Sequence, residues 1–211
     1  MTAQTDKHKY RQQRLQAIRS AAAVFAEKGF HGSSTRDIAE RMGIKQGSLY
    51  YYFDSKEEAL GEVCLYGIDE YVEHMKDIAS SDQSFDEKLT ATITSHLSSY
   101  RERNEALKVY NDERLYLPEE KRRKLKLLGS AYRRMLEEIF REGVRDGVLR
   151  DSIDCHFAAL AVIGICNAWG DLIVRDPDLD LFEIIRKCSD LLLNGLRERR
   201  AIGRDAAKQQ K

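Results

Sequence analysis

The sequence predicts an all-α protein in which a short three-helix unit at the N-terminus precedes a larger helical body. Its 211 residues include only two prolines and few stretches in which polar and apolar residues alternate, as half-exposed strands would require. Apolar residues instead recur at three- and four-residue steps through most of the chain, which is the period of an amphipathic helix. The predicted units are residues 10–56 and 57–200, with flexible polar tails at 1–9 and 201–211.

The first helix is predicted from near Tyr10 to Lys28, where Gly29 ends it. Its core face is the apolar series Leu15, Ile18, Ala22 and Phe25. Several cations between positions 7 and 14 straddle the start of this helix. These side chains either lie along a polyanion as a flexible arm or are simply solvated, and the sequence leaves both interpretations open.

A short second helix and a tight turn follow. Hydroxyl-bearing residues suited to helix capping stand at positions 33–35, where they can accept the free N–H groups of a helix start. Apolar Ile38, Ala39 and Met42 share one face of the helix. Gly43 is predicted to end it, because glycine adopts the left-handed conformation of a C-terminal turn at little cost.

A third helix is predicted over residues 45–53, where Leu49 and Phe53 can pack inward together. The residues left on its outside are Lys45, Gln46, Tyr50, Tyr51 and Tyr52. A tyrosine ring packs on sugar while its hydroxyl bonds a phosphate oxygen, and Gln or Lys at a helix start can read base edges in the major groove. The pattern therefore favours a helix-turn-helix that binds DNA over an ordinary helical pair with a surface aromatic cluster.

Charge is divided unevenly along this neutral chain. Residues 1–56 hold ten Lys or Arg and five Asp or Glu, whereas the remainder holds 25 basic and 30 acidic residues. A basic head and an acidic body are expected of a protein in which only the head meets a polyanion.

The body is predicted as a succession of helices that ends in an interface. Helices are expected at about 55–79, 85–104 and 105–114, and from Pro118 to the turn at Asp146 and Gly147. Two apolar stripes then mark the last two helices. The stripes contain Phe157, Leu160, Ala161, Gly164, Ile165 and Ala168 in the first helix, and Leu181, Ile185, Cys188 and Leu192 in the second. Small residues in the first stripe allow a partner helix to approach closely.

A spaced series of residues also runs through about positions 15–65. It comprises the segment Ala23–Phe30, then Thr35-Arg36-Asp37-Ile38-Ala39, Gly43-Ile44, the run GSLYYYF at 47–53, and Ser55-Lys56-Glu57-Glu58. This series resembles the TetR family of bacterial repressors. One departure is Tyr52, where many members carry His.

The resemblance implies a ligand-responsive repressor that binds an inverted-repeat DNA operator as a homodimer and leaves it when a small hydrophobic effector binds. The DNA-binding residues are then expected to be Ser34, Thr35, Arg36, Lys45, Gln46, Gly47, Tyr50, Tyr51, Tyr52 and Lys56. Ligand-binding candidates in the body are His96, Tyr100, Tyr110, Asn111, Tyr132, Arg133 and Trp169, although residues of these types in such positions are more often core than ligand-lining. The family pairs its last two helices into a four-helix bundle between subunits.

A narrower similarity concerns the segment Val109–Glu113 and the basic helix that follows it. It looks like the branch of the family that controls fatty-acid, phenylacetate or sterol-ring catabolism and senses acyl-CoA thioesters. The phosphates of coenzyme A would then find partners among Lys121, Arg122, Arg123, Arg133 and Arg134. A solvated basic face is the alternative interpretation of these cations.

Other classes of function are disfavoured or remain as alternatives. The sequence contains none of the motifs GxGxxG, GxxxxGK[ST], HExxH or GxSxG, so neither an enzyme nor a cofactor or metal is expected. A dimeric helical adaptor without DNA binding and a TetR-type regulator of an efflux pump that senses a lipophilic drug stay open. The longest apolar run, at 157–166, is too short for a bilayer, and a cytoplasmic protein with buried, reduced cysteines is expected.

Overall fold

The computed structural model describes residues 2–196, and side chains between positions 7 and 195. Within that range the chain forms nine α-helices, one 3-10 turn and no strand, so the all-α prediction is confirmed. The helices are α1 (Thr2–Gly32), α2 (Thr35–Met42), α3 (Gln46–Leu49), α4 (Lys56–Ser80), α5 (Phe85–Glu102), α6 (Asn104–Glu113), α7 (Glu119–Arg145), α8 (Cys155–Arg175) and α9 (Leu181–Leu196), and the 3-10 turn is Arg114–Tyr116. The tail expected at 201–211 lies outside the described residues.

The first helix begins eight residues earlier than the sequence analysis predicted. It starts at Thr2 rather than near Tyr10, so the segment 2–9 is helical and not a structureless tail. This segment contains no glycine or proline and is rich in residues that tolerate a helix. The prediction relied on apolar periodicity, which a helical segment without a core face does not show.

The end of α1 is kinked rather than terminated at its predicted residue. Gly29 adopts the left-handed φ of 72°, and the chain then continues for one further helical turn to Gly32. A short loop leads to α2, whose N-cap Ser34 and Asp37 form a reciprocal capping box. Gly43 ends α2 with a φ of 68°, as predicted.

The third helix is shorter than the predicted span of 45–53. Regular α-helix ends at Leu49, and the next amides bond three residues back: Tyr51 N to Ser48 O at 3.3 Å and Tyr52 N to Leu49 O at 2.8 Å. This tighter winding is common in the last turn of a helix. Leu49 and Phe53 both enter the core, as predicted.

The body packs around α4, which leaves the head and runs alongside α5, α6 and α7. Its core is apolar and includes Ile68, Leu89, Ile93, Leu97, Leu136, Ile139 and Phe140. Helix α6 also packs on α1, so it lies between head and body. A Cβ on Gly67 of α4 would lie 3.1 Å from the carbonyl oxygen of Ala106, so the close crossing of α4 and α6 requires a glycine there.

Candidate functional site

The exposed face of α3 and the following turn carries the side chains that the sequence placed outside. Tyr50 and Tyr51 are 51% and 67% exposed, and Lys45 and Gln46 are exposed beside them. A Cβ on Gly47 would meet no atom within 4 Å, so this side of α3 is open to a large partner. The arrangement brings the side chains that were predicted to bond phosphates and to read bases onto one surface.

Contacts between α2 and α3 orient this face. The side-chain nitrogen Nε2 of Gln46 donates to Oγ1 of Thr35 at 3.0 Å, which ties the start of α3 to the start of α2. Ser34 is occupied as the α2 cap, and Arg36 is exposed and paired with Glu40 at 2.8 Å. Of the three predicted contacts at the start of α2, only Arg36 has a side chain without a structural role, since an exposed i,i+4 ion pair is weak.

Tyr52 differs from its two neighbours because it is half-buried. Its ring is stacked on Tyr10 of α1, with centroids 6.4 Å apart and an interplanar angle of 18°. Tyr10 also meets Tyr51 edge-on at 5.3 Å. Tyr10 was absent from the predicted site, since its partners lie about forty positions away along the chain and no local pattern reports them.

Lys56 has a structural role that the sequence analysis missed. Its Nζ donates to the carbonyl oxygens of Phe30 at 2.7 Å and Ser33 at 2.8 Å, and lies 4.3 Å from the centre of the Phe30 ring. Two of its three N–H groups are therefore used to hold the loop between α1 and α2. One N–H remains for the predicted phosphate contact.

Three of the predicted ligand-binding residues meet in a buried cluster in the body. His96 Nδ1 lies 2.9 Å from the Tyr132 hydroxyl, and its Nε2 lies 3.0 Å from Oδ1 of Asn167. The Tyr100 hydroxyl donates to the same oxygen at 3.1 Å. Tyr71, which the sequence analysis did not single out, stacks on His96 at 5.1 Å.

Burial keeps this cluster neutral. It lowers the pKa of His96 to about 4, with the hydrogen bond to Asn167 acting in the opposite direction. Because the Asn167 oxygen can only accept, the neutral imidazole donates a hydrogen bond from Nε2. Its Nδ1 accepts a hydrogen bond from the Tyr132 hydroxyl. Burial likewise raises the pKa of Tyr100 to about 12. The cluster is thus a hydrogen-bonded network that joins α5, α7 and α8, buried at His96 and Tyr132 and exposed at Asn167.

Two cavities adjoin α6. One, of about 560 Å³, lies between α6, the 3-10 turn and α7; it is lined by Tyr110, Arg114, Leu115, Glu119, Arg122, Arg123, Leu125 and Lys126. We call it the basic cavity. The other, of about 370 Å³, lies towards α8 and includes Tyr100, Asn111, Arg114, Asn167, Asp171 and Arg175. Both share Arg114, which neither the sequence motifs nor the charge pattern had identified.

The remaining predicted ligand contacts lie elsewhere. His96 and Tyr132 are buried in the cluster and line neither cavity, and Trp169 is half-buried on α8. Arg133 pairs with Glu137 at 3.3 Å. Of the cations expected to meet phosphates, Arg122 and Arg123 line the basic cavity, whereas Lys121, Arg133 and Arg134 do not. A larger groove of about 780 Å³ between α4 and α5 has an acidic lining, which is unsuited to an anion.

An exposed apolar surface covers α8 and α9, which we call the α8–α9 face. Its large members are Phe157, Leu160, Leu172, Phe182 and Leu191. The predicted residues Gly164 and Ala168 are also exposed there, with Ala161, Ile165, Leu181 and Ile185 partly so. Two predicted members are corrected: Cys188 and Leu192 are buried within the chain, because the stripe of α9 that they share packs on the chain's own core. Leu172, Phe182 and Leu191 were missed.

The same face explains the composition of α8. By length and mean hydropathy of 1.8 over 18 residues, this helix could cross a membrane, on composition alone. The run at 157–166 alone is too short to span a bilayer, but apolar character continues beyond it to Val174. One side of α8 packs on α5 and α7 and the other forms the α8–α9 face, so both sides are apolar.

The cysteines are free in the described structure, and three of the four are buried. Burial raises the pKa of the Cys64 and Cys166 thiols to about 12. They are protonated at neutral pH and behave as small apolar residues, as predicted.

Comparisons with known proteins agree with this architecture. Residues 17–63 match the family described as "Bacterial regulatory proteins, tetR family", and residues 82–196 match "Tetracyclin repressor-like, C-terminal domain". The chain is 32% identical over 146 residues to the HTH-type transcriptional repressor KstR2 of Rhodococcus jostii, covering 69% of this chain and 72% of that protein. It is 26% identical over 186 residues to the fatty acid metabolism regulator protein of Bacillus subtilis, covering 86% and 94%.

A solved structure extends the comparison to three dimensions. The transcriptional regulator FadR from Bacillus subtilis, in complex with stearoyl-CoA, matches with a TM-score of 0.72 and 26% identity. The match covers 87% of this chain and 99% of that one.

Proposed function

This chain belongs to the TetR family of bacterial regulatory proteins, and from that premise we propose that its effector is a long-chain acyl-CoA thioester. The family match makes it a ligand-responsive, DNA-binding repressor, which removes the dimeric adaptor without DNA binding from consideration. The effector, the residues that bind it, and release of a homodimer from an inverted-repeat operator are the proposed parts.

The basic cavity carries the effector proposal. Arg114, Arg122, Arg123 and Lys126 line it against one acidic residue, Glu119, and Tyr110, Leu115 and Leu125 supply apolar surface. A site of this composition suits a ligand that has both phosphates and an apolar part, because Arg binds phosphate oxygens through paired N–H groups. The similar structure of Bacillus subtilis FadR holds stearoyl-CoA, a ligand with that chemistry.

Contacts of α6 and the 3-10 turn connect this cavity with the DNA-binding head. Glu113 accepts a hydrogen bond from the backbone N–H of Phe30 at 3.2 Å. Tyr116 stacks on the Phe30 ring, with centroids 6.1 Å apart, and Lys108 donates to the Ala26 carbonyl at 3.1 Å. Arg114 directly follows Glu113 in the chain, so a ligand that moves Arg114 would also shift the contacts that hold the end of α1. The change in DNA affinity cannot exceed the difference between the ligand's affinities for the DNA-bound and the released conformation of this segment.

The α8–α9 face supports the homodimer. Its large apolar side chains are exposed in the single chain, which is costly unless another surface covers them. Pairing α8 and α9 with the same helices of a second copy would form a four-helix bundle across a two-fold axis. Two recognition surfaces related by that axis require an operator with inverted half-sites.

The experiment is a paired titration with stearoyl-CoA, in which stearate and coenzyme A are the controls. Operator release is followed by fluorescence anisotropy of labelled DNA, and effector binding by the emission of Trp169. We expect release by stearoyl-CoA alone, and a weaker response after Arg122→Gln and Arg123→Gln. Arg145→Gln and Arg150→Gln are the matched control, because they change exposed cations at the far end of α7 and in the segment that follows it. Release by a neutral lipophile instead would favour the efflux-regulator alternative.

A further inference from the structure

We propose that the first turns of α1 form a second DNA-binding surface, which contacts backbone phosphates outside the half-site that α3 reads. Its contact residues are Lys7, Lys9 and Arg11. Tyr10 is the positioning residue that fixes them against α3. The inference requires DNA binding alone and is independent of the effector proposal.

The length and continuity of α1 provide the first argument. The helix is unbroken from Thr2 through Tyr10, and at about 1.5 Å per residue the segment before Tyr10 extends about 12 Å. A rigid helix presents its cations at fixed positions, so fewer conformations are lost on binding than with a flexible tail.

Aromatic contacts place this segment beside the recognition surface. Tyr10 meets Tyr51 edge-on at 5.3 Å and stacks with Tyr52 at 6.4 Å. One turn further along α1, Arg14 pairs with Glu62 of α4 at 3.1 Å. Tyr10 and Arg14 lie one turn apart on the same face of α1. This face is therefore fixed against α4 and the exposed tyrosines that are expected to meet DNA, and positions 7–11 lie within one helical turn of Tyr10.

The cations of this segment are available to a partner. Among the side chains that the structure describes, Lys7, Lys9 and Arg11 are exposed and have no carboxylate within ion-pair distance. Lys7 and Arg11 lie one turn apart on one face of α1, and Lys9 lies on the other flank of Tyr10. Some exposed cations of the body are paired, as in Lys76–Glu73 and Arg145–Glu138, so charge alone does not distinguish the segment. Its distinction is that these free cations flank a residue fixed beside the recognition surface, where they can neutralise phosphates.

Phosphate contacts of this kind add affinity without adding sequence information. Each contact releases counterions, so the logarithm of the binding constant falls with the logarithm of salt by about 0.9 more per phosphate. The segment should therefore increase both the salt dependence of binding and the length of DNA that the protein covers.

The test compares a triple variant with a matched control. The triple variant carries Lys7→Gln, Lys9→Gln and Arg11→Gln. The control carries Lys76→Gln, Arg145→Gln and Arg150→Gln, which remove the same charge from the body. Affinity is measured from low to high salt on an operator selected with the wild-type protein. One duplex ends at the half-sites and another has ten further base pairs on each side.

On the long duplex we expect the salt slope of the triple variant to be smaller by about 2 to 3 per subunit than that of the control. On the short duplex the triple variant and the control should have equal slopes, because the flanking phosphates are missing. Equal slopes on the long duplex would overturn the proposal, and so would an equal loss on both duplexes.

Variants of Tyr10 distinguish a role in positioning the cations from a general structural role. Tyr10→Phe keeps the ring contacts and should behave as wild type. Tyr10→Ala should lower the salt slope on the long duplex only, while far-UV circular dichroism confirms that the helix content is retained. If Tyr10→Ala weakened binding equally on both duplexes, Tyr10 would support the head as a whole and the positioning role would be wrong.

Discussion

The head and the body use their tyrosines in opposite ways. In the head, Tyr50 and Tyr51 are exposed on the surface that is expected to meet DNA. In the body, Tyr100 and Tyr132 are buried around His96 and their hydroxyls are hydrogen-bonded within the chain. The same side chain thus leaves its polar tip available for a partner in one region and satisfies an internal network in the other.

The difference shows which functional residues a sequence can identify. The outward position of Tyr50 and Tyr51 follows from local spacing, because Leu49 and Phe53 must face inward. The cluster around His96 joins residues from α4, α5, α7 and α8, and no spacing within one helix reports it. Four predictions, from the largest expected effect to the smallest, test this division.

The largest effect concerns the α8–α9 face, because dimerisation through this face would bring two DNA-binding heads to one operator. Gly164→Arg should give monomers and lower operator affinity by about a hundredfold or more, because joint engagement of two half-sites is lost. A Cβ at Gly164 meets no atom within 4 Å in the single chain, so the subunit should still fold. Light scattering after size-exclusion chromatography gives the mass, and a gel shift gives the affinity.

Gly129→Arg is the control for this prediction. Gly129 is also a helical glycine whose Cβ would meet nothing within 4 Å, but it lies on α7, outside the proposed interface. A Gly164→Arg protein that remained dimeric and kept normal operator affinity would eliminate this interface.

The second prediction concerns how the buried His96 makes the free energy of unfolding depend on pH. Burial lowers the pKa of His96 to about 4 from the ordinary value of 6.5, so the unfolded state binds more protons than the folded state between these values. The stabilisation is complete above pH 6.5 and is lost as the pH falls towards 4. The full loss is about 3 kcal/mol of unfolding free energy.

Urea unfolding at fixed protein concentration, from pH 7 to pH 4.5, measures this contribution. His96→Gln should be less stable at pH 7 and should lose less stability on acidification than the wild type. The difference between the two proteins matters, because carboxylates of the unfolded chain also begin to bind protons towards pH 4.5. Parallel pH profiles for the two proteins would mean that His96 is not held neutral in the folded state.

The third prediction concerns base readout by the head. Gln46→Ala should reduce discrimination at one base position by about 1–3 kcal/mol while leaving the other positions unchanged. Selection from a randomised operator, followed by sequencing, measures the preference at each position. Ser48→Ala, an exposed change on the same helix, is the control. If the Gln46→Ala protein kept the same base preference, Gln46 would have only a structural role, through its hydrogen bond to Thr35.

Sequence reasoning succeeded where one local signal decides the outcome. Helix caps, the Gly43 turn and the inward pair in α3 follow from residues within a few positions of one another. It failed where tertiary contacts decide. Cys188 and Leu192 share the apolar spacing of an interface, but α9 buries them in its own core. Lys56 was predicted only as a phosphate contact, and its second role was missed because the fold brings two distant carbonyl oxygens within hydrogen-bond distance of it.

The smallest expected effect concerns Glu113, where the two regions meet. Glu113→Ala removes the acceptor for the Phe30 N–H at the kinked end of α1. If this contact transmits effector binding, the free-energy coupling between stearoyl-CoA and operator should fall by about 0.5–1 kcal/mol. Effector affinity in the absence of DNA should change little, because Glu113 does not line the basic cavity.

The coupling is obtained from operator affinity with and without saturating stearoyl-CoA. Glu113→Gln is the matched variant, because its amide oxygen can still accept the hydrogen bond, and it should retain most of the coupling. Equal coupling in the wild type and in Glu113→Ala would show that this hydrogen bond does not transmit effector binding. The signal would then have to pass through the other contacts between the two regions, such as Tyr116 with Phe30 and Lys108 with Ala26, or along α4.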